Sequence, residues 1–152
     1  MRIVVGSDER TALTDTVVGA LAASGHEVEL VGPLAGGAQE WAEVGADVGR
    51  RVADGVADRG VLFCWSGTGV SMAANKVPGV RAALCGDAET ARLARKYNHA
   101  NVLVMSLRAT SDQVGREILD AFLAEPAGSD DFDVRNVHAV DALDGSVSTP
   151  GE

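Results

Sequence analysis

The chain has 152 residues, 46% of them hydrophobic and 23% charged, which suits one globular unit that buries its core without disulfides or metals. Lysine and arginine number 13 against 22 acidic residues, a net charge of −9, so nucleic acid and anionic membranes would be repelled over most of the surface. No apolar run can span a bilayer, the strand-like N-terminus lacks a secretory core, and two cysteines build no disulfide framework; the expectation is a cytoplasmic protein with free thiols.

Apolar β-type runs alternate with helical patterns. Arg2 to Gly6 is a continuous apolar run, as for a strand buried on both faces. Helical spacing follows over 11–24 (Leu13, Val17, Val18, Leu21), with Gly25 as the stop. Glu27 to Val31 alternates polar and apolar, the pattern of an edge strand. A loop with Gly32, Pro33, Gly36 and Gly37 precedes a helix from Trp41 to Val56, with Trp41, Val44, Val48, Val52 and Val56 on its apolar face. Val61 to Cys64 is the most hydrophobic strand and the expected centre of the sheet. The stretch Ser66-Gly67-Thr68-Gly69 leads into a short helix at Val70–Lys76. Val80 to Cys85 reads as the fourth strand, and Asp87 to Tyr97 as the next helix with Asp87 as its cap. Asn101 to Met105 is the fifth strand and Ser111 to Leu123 the fifth helix. A polar hinge at 126–131, a last short helix at 132–143 and a disordered tail over 145–152 complete the reading.

Five strands each followed by a helix predict an α/β fold, a three-layer α/β/α sandwich on a five-stranded parallel sheet of the flavodoxin-like or Rossmann-like kind. Residues 1–144 form its single domain. Ligands bind such sheets at the carboxyl ends of the strands, near the point where strand order reverses. That rule selects Ser7 to Arg10, Cys64 to Ser71, Cys85 to Asp87 and Ser106 to Arg108, with Tyr97 to His99 just before strand five.

Cys64 ends the central strand. It is either a packing cysteine or a thiol over the crevice, where a nearby helix N-terminus favours the thiolate. The loop Gly67, Thr68, Gly69, Val70 and Ser71 offers successive N–H groups to a phosphate or a developing oxyanion, unless it is a plain strand-to-helix turn. It is neither a Walker loop nor a full dinucleotide fingerprint, since Met72 stands where a third glycine would be. Asp8 can hold sugar hydroxyls or cap a helix. Tyr97, Asn98, His99 and Asn101 form a polar cluster with one imidazole. His99 and His138 show no ligand spacing with each other or the cysteines, so no metal is inferred.

The run from Cys64 through Ser66-Gly67-Thr68-Gly69-Val70-Ser71 to Ala73-Ala74-Asn75-Lys76, followed by Pro78-Gly79-Val80-Arg81-Ala82, resembles the signature of one family of sugar isomerases. That family holds the type B ribose-5-phosphate isomerases and galactose-6-phosphate isomerase subunits. Gly6-Ser7-Asp8 and the later Asn98, Asn101-Val102-Leu103 and Arg108 fall in matching order, so the resemblance covers roughly residues 1–140. It implies aldose–ketose interconversion through an enediolate, without metal or organic cofactor, in a homodimer whose sites lie at the subunit interface. It makes Cys64 the base, Asp8 and Asn98 the groups that position substrate, Gly67 to Ser71 the enediolate cradle and Ser66 the hydroxyl two places after the base.

The departures are equally specific. Glu9-Arg10 follows Asp8 where the family has histidine, and Tyr97 occupies the place of the histidine assigned to ring opening, with His99 two residues on. Trp41-Ala42-Glu43-Val44 aligns with a Tyr-Pro-His-Tyr motif. Phe132 and Asn136 stand where the family has its C-terminal arginine pair, and Arg135 lies out of register. The reading is therefore an aldose–ketose isomerase with Cys64, Ser66, Asp8, Tyr97 and His99 in the chemistry. Glu9, Arg10, Asn98, Arg108, Arg135 and His138 join the 67–71 loop in binding substrate. The substrate is a sugar phosphate, with ribose 5-phosphate expected to be a poor one, or an unphosphorylated or acidic sugar; a non-catalytic sugar-binding module is the remaining alternative. The amphipathic segment Phe132, Val134, Val137, Val140, Leu143 predicts a 126–144 extension docking on another subunit, giving a homodimer or a dimer of dimers.

Overall fold

The computed structural model of the chain describes residues 1–145. In chain order the elements are β1 (Arg2–Ser7), α1 (Ala12–Ala23), β2 (Glu27–Val31), α2 (Trp41–Ala53), β3 (Arg59–Cys64), α3 (Thr68–Asn75), β4 (Ala82–Leu84), α4 (Ala88–Asn98), β5 (Val102–Ser106), α5 (Asp112–Ala124) and α6 (Asp131–Ala142), with short 3-10 turns at Gly32–Ala35 and Leu143–Gly145. The tail expected over 145–152 lies, apart from Gly145, outside the described residues.

All strands are parallel, in the order β2-β1-β3-β5-β4. The expected α/β sandwich is borne out, with β3 at its centre. The flavodoxin order 2-1-3-4-5 is altered only by the exchange of the last two strands. That exchange sets β5 directly against β3, pairing Ser106 with Cys64.

Alternation along the strands divides the core. Ile3, Val5, Val61, Phe63, Leu103 and Met105 face α1, α4 and α5, where they meet Leu13, Val17, Ile118 and Phe122. Val4, Leu62, Cys64, Val102 and Val104 face the opposite way and meet Val44, Val48, Val52, Val70 and Ala74 of α2 and α3. Burying one such Val or Leu contributes about 1.5–3 kcal/mol. The three central strands are buried on both faces, while β2 keeps Glu27 and Glu29 in water.

Three expectations are corrected. The helix expected over Trp41–Val56 stops at Ala53, because Gly55 turns the chain at φ +71°; Val56 and Trp41 are left half exposed rather than in the core. The fourth strand keeps three of its six expected residues. The Asn75 side chain takes both the N–H and the carbonyl of Ala82 on the open side of this edge strand, in place of a further strand. Helix α3 begins at Thr68, two residues early, because Gly67 at φ +78° swings the chain straight from β3 into the helix.

Chain direction places the ends. From β1 the chain passes through α1 to β2 on one side, and from β2 through α2 to β3 on the other. α1 and α2 lie on opposite faces, so a crevice opens above the carboxyl ends of β1 and β3.

Candidate active site

The β1–β3 register pairs Ser7 with Phe63, so Asp8 and Cys64 leave the sheet side by side. Ser7 is fully buried; its hydroxyl donates to the Glu9 carbonyl (2.6 Å) and accepts from the Glu9 N–H (3.2 Å). This turn fixes the backbone around Asp8. Burial pushes the Asp8 carboxyl above its ordinary value, the Glu9 charge pushes the same way, and a bond from its own backbone N–H opposes both.

Cys64 is packed on the α2–α3 side of the sheet, yet it lines a cleft of about 280 Å³ together with Asp8, Trp41, Trp65, Ser66, Thr68 and Gly69. The Ser66 and Thr68 hydroxyls share a hydrogen bond of 2.7 Å at its edge. Gly67 has no room for a side chain: a Cβ would lie 2.6 Å from Leu84 Cδ1 and 3.2 Å from the Met105 carbonyl. At Gly69 a Cβ would meet only the Trp41 ring, 2.8 Å from Cε3. The indole thus rests on bare backbone at the first turn of α3. The Thr68, Gly69 and Val70 N–H groups precede the first bond within that helix and face the region where its dipole favours negative charge. Two donors of the expected cradle are already engaged, the Ser71 N–H with the Gly67 carbonyl at 3.3 Å and the Thr68 N–H with Ser66 Oγ at 3.4 Å, which leaves those of Gly69 and Val70.

On the far side of the loop, the Trp65 carbonyl accepts from Ser106 Oγ (2.9 Å) and from the Arg108 N–H (3.0 Å). The end of β5 is thereby tied to the loop after Cys64, and Arg108 sits exposed at the rim. A neighbouring recess of about 440 Å³ shares Asp8 and Trp41 and adds Pro33, Ala38, Gln39 and Glu40. Among the described residues no arginine or lysine lines either hollow. Glu9 and Arg10 are exposed just outside, with Arg10 paired to Asp15 at 2.8 Å.

The structure corrects the placement of the second group of candidates. Tyr97, Asn98 and His99 end a helix that starts at the carboxyl end of β4 and runs back, so they stand at the amino end of the sheet, opposite Cys64. Residues just before a parallel strand belong to that end, which the expectation overlooked. The His99 ring is hydrogen-bonded to the Gly128 carbonyl (2.8 Å) and holds the α5–α6 connection to the end of α4. Within one chain, neither Tyr97 nor His99 can exchange a proton with a group at Cys64. Tyr97 and Asn98 instead line two hollows of about 490 and 800 Å³ beside α6, with Asn136, Val140 and Leu143 in both. These are larger than the Cys64 cleft but hold no cysteine; Asp144 lines the first and Asp133 the second. Arg135 and His138 line neither, and sit exposed on α6.

Trp41 and Trp65 are the residues that sequence reasoning passed over. The helical spacing puts Trp41 on a core face, and no sequence pattern gives Trp65 a role of its own. The available signal was position: a tryptophan inside a Gly/Ser/Thr loop beyond a strand end has no core to enter. Among the described residues no group of three or more His, Cys, Asp or Glu gathers as metal ligands, and no helix is long and apolar enough to cross a membrane.

A family model described as Ribose/Galactose Isomerase matches residues 3–141. Ribose-5-phosphate isomerase B of Escherichia coli is 34% identical over 111 residues, covering 73% of this chain and 74% of that protein. A DNA damage-repair/toleration protein of Arabidopsis thaliana is 38% identical over 129 residues; the match covers 83% of this chain but only 40% of that longer relative. Among solved structures, ribose-5-phosphate isomerase B of Clostridium thermocellum superposes with a TM-score of 0.90 at 31% identity, over 97% of this chain and 100% of that one.

Proposed function

The chain belongs to the Ribose/Galactose Isomerase family, and on that premise we propose that it interconverts an aldose phosphate and a ketose phosphate with Cys64 as the base. One observation carries this reading: a cysteine, a carboxylate, a hydroxyl pair and the open N-terminus of α3 meet in a single cleft at the sheet's switch point. The Cys64 thiolate takes the proton from C2 of the open-chain aldose. The electron pair of that C–H bond becomes the C1–C2 double bond, and the carbonyl at C1 becomes an enediolate oxygen. N–H groups of Gly69 and Val70 stabilise this oxygen; one such donor is typically worth about 3 kcal/mol in the transition state. The hydroxyl pair Ser66–Thr68 carries a proton from O2 to O1, and the thiol returns its proton to C1. C2 is oxidised and C1 reduced, so no external oxidant or cofactor enters. Asp8 positions the substrate hydroxyls.

Residues 1–144 are read as one domain that works as a homodimer. Helix α6 buries only Val137 and leaves Phe132 and Val140 exposed; Leu143, in the turn that follows, is exposed too. Docking on a second copy covers that face, and it is the arrangement in which Asn98, Tyr97, Arg135 and His138 serve a cleft other than their own. The test is a coupled assay of the purified protein against C4 to C6 aldose phosphates, the corresponding free sugars and uronates. Turnover of at least one aldose phosphate is expected, with ribose 5-phosphate not the best of them; a panel with no turnover contradicts the reading. The cleft's lack of any arginine or lysine favours a second reading, an unphosphorylated sugar. Arg135→Ala separates the two: a KM for the phosphate ester raised roughly ten- to a hundredfold identifies Arg135 as the anion's anchor, and an unchanged KM favours the uncharged substrate.

A further inference from the structure

The chain is poor in aromatic residues, with two tryptophans, one tyrosine and three phenylalanines. Both tryptophans nevertheless line the same small cleft as Cys64. Each is substantially exposed, Trp41 at 47% and Trp65 at 62%, and each is fixed at its base. The Trp41 indole lies against the Cα of Gly69, a contact that the absence of a side chain there permits. The Trp65 carbonyl is held by Ser106 Oγ and by the Arg108 N–H, so its backbone is clamped while its indole projects at the rim. Large apolar rings held in water beside polar groups are the usual lining of a small-molecule site, where rings supply area and a few polar atoms fix orientation.

We propose that Trp41 and Trp65 form an aromatic clamp for the carbon chain of the substrate, and that they, rather than an arginine of the same chain, set its affinity and its class. This deepens the isomerase reading and rests on it. A sugar presents C–H groups on one side and hydroxyls along its edge. The C–H groups carry slight positive charge and meet the negative face of an indole, while the hydroxyls reach Asp8 and the Ser66–Thr68 pair. The clamp selects sugars with an unbroken C–H face next to the reacting carbons. It makes binding depend on apolar contact, in a cleft whose only ionisable groups among the described residues are the Asp8 carboxyl and the Cys64 thiol.

The test combines kinetics with fluorescence, which is possible because the only two tryptophans are the two rings in question. Trp41→Ala and Trp65→Ala should each raise KM for the best aldose of the panel about tenfold with kcat within threefold, and Trp65→Phe should restore most of the loss. The intrinsic emission of the wild type should shift saturably on titration with that sugar, or with ribose 5-phosphate, and the shift should shrink in each single-tryptophan variant. Unchanged KM in both alanine variants overturns the proposal. So does a Trp65→Ala protein that sediments as a monomer where the wild type is a dimer, since that indole would then cover a subunit contact. If the wild type turns over no sugar, the isomerase reading fails, and the emission titration alone decides the clamp: a saturable shift lost in Trp65→Ala upholds it, and no shift overturns it.

Discussion

Gly67→Ala places a methyl group at the hinge between β3 and α3, and its cost can be assembled from three contacts. The residue sits at φ +78°, a left-handed conformation that costs an alanine about 1–2 kcal/mol. Its Cβ would lie 2.6 Å from Leu84 Cδ1 and 3.2 Å from both the carbon and the oxygen of the Met105 carbonyl. Leu84 is on the edge strand, half exposed, and can swing away. Met105 belongs to the buried β5 and cannot, so a further 1 kcal/mol or more of overpacking, as an order of magnitude, is stored there. A total of about 2–3 kcal/mol lowers the melting temperature by roughly 4–12 °C in a chain of this size. Gly69→Ala is the control. It lies inside α3 without a positive φ, gains up to ~1 kcal/mol of helix propensity, and displaces only the half-exposed Trp41 ring. Its melting temperature should stay within about 4 °C of the wild type, while its tryptophan emission changes. Circular dichroism melts of both variants make the comparison. A Gly67→Ala protein as stable as the wild type, or a Gly69→Ala protein that loses more, would refute the strained-hinge account.

Asp8→Asn should stabilise the fold at neutral pH while reducing turnover. Burial raises the native Asp8 value, so its favourable contribution is fully present below the ordinary value of 3.8 and is lost as pH rises through the native one; the variant's gain in melting temperature should therefore be present at pH 7.5 and shrink on acidification toward that value, and a loss at pH 7.5 would show Asp8 to be an anchor of the fold instead. Cys85 should resist iodoacetamide at pH 8 while Cys64 is modified, because burial and the Asp87 charge push the Cys85 thiol up to about 11; a mass spectrum with Cys85 labelled first would contradict this. Phe132→Asp combined with Val140→Asp should convert a dimer to a monomer in sedimentation at micromolar protein with the core melt unchanged; a wild type that is already monomeric would remove α6 from the site.

The parts of the molecule that a sequence can show are those governed by local pattern. The continuous apolar runs at Ile3–Val5, Val61–Cys64 and Val102–Met105 named the three buried strands, and the Val44, Val48, Val52 spacing named the packed face of α2. The cleft at Cys64 was legible for the same reason, since Cys64 ends its strand and Asp8 and residues 66–70 follow strand ends closely. What escaped was set by the third dimension. Tyr97 and His99 are close to β5 in sequence but stand at the opposite end of the sheet from the thiol, because the chain direction reverses through α4. The Ser71 N–H was spent on the Gly67 carbonyl once α3 began early. Trp41 fits the apolar stripe of its helix in projection, yet it occupies the first turn, above the sheet, where the core has ended.

The central claim is that the Cys64 thiolate removes the C2 proton, and isotope exchange at that carbon measures it directly. An aldose substrate carrying deuterium at C2 is incubated in ordinary water with wild-type protein and with Cys64→Ala, after melts confirm that both are folded. The account predicts that deuterium loss and ketose formation fall together in the variant, by about 10²–10⁴-fold as expected for removal of a positioned base, while the emission titration still reports substrate binding. Exchange in Cys64→Ala above a tenth of the wild-type rate would contradict it and assign the base to another group in the cleft.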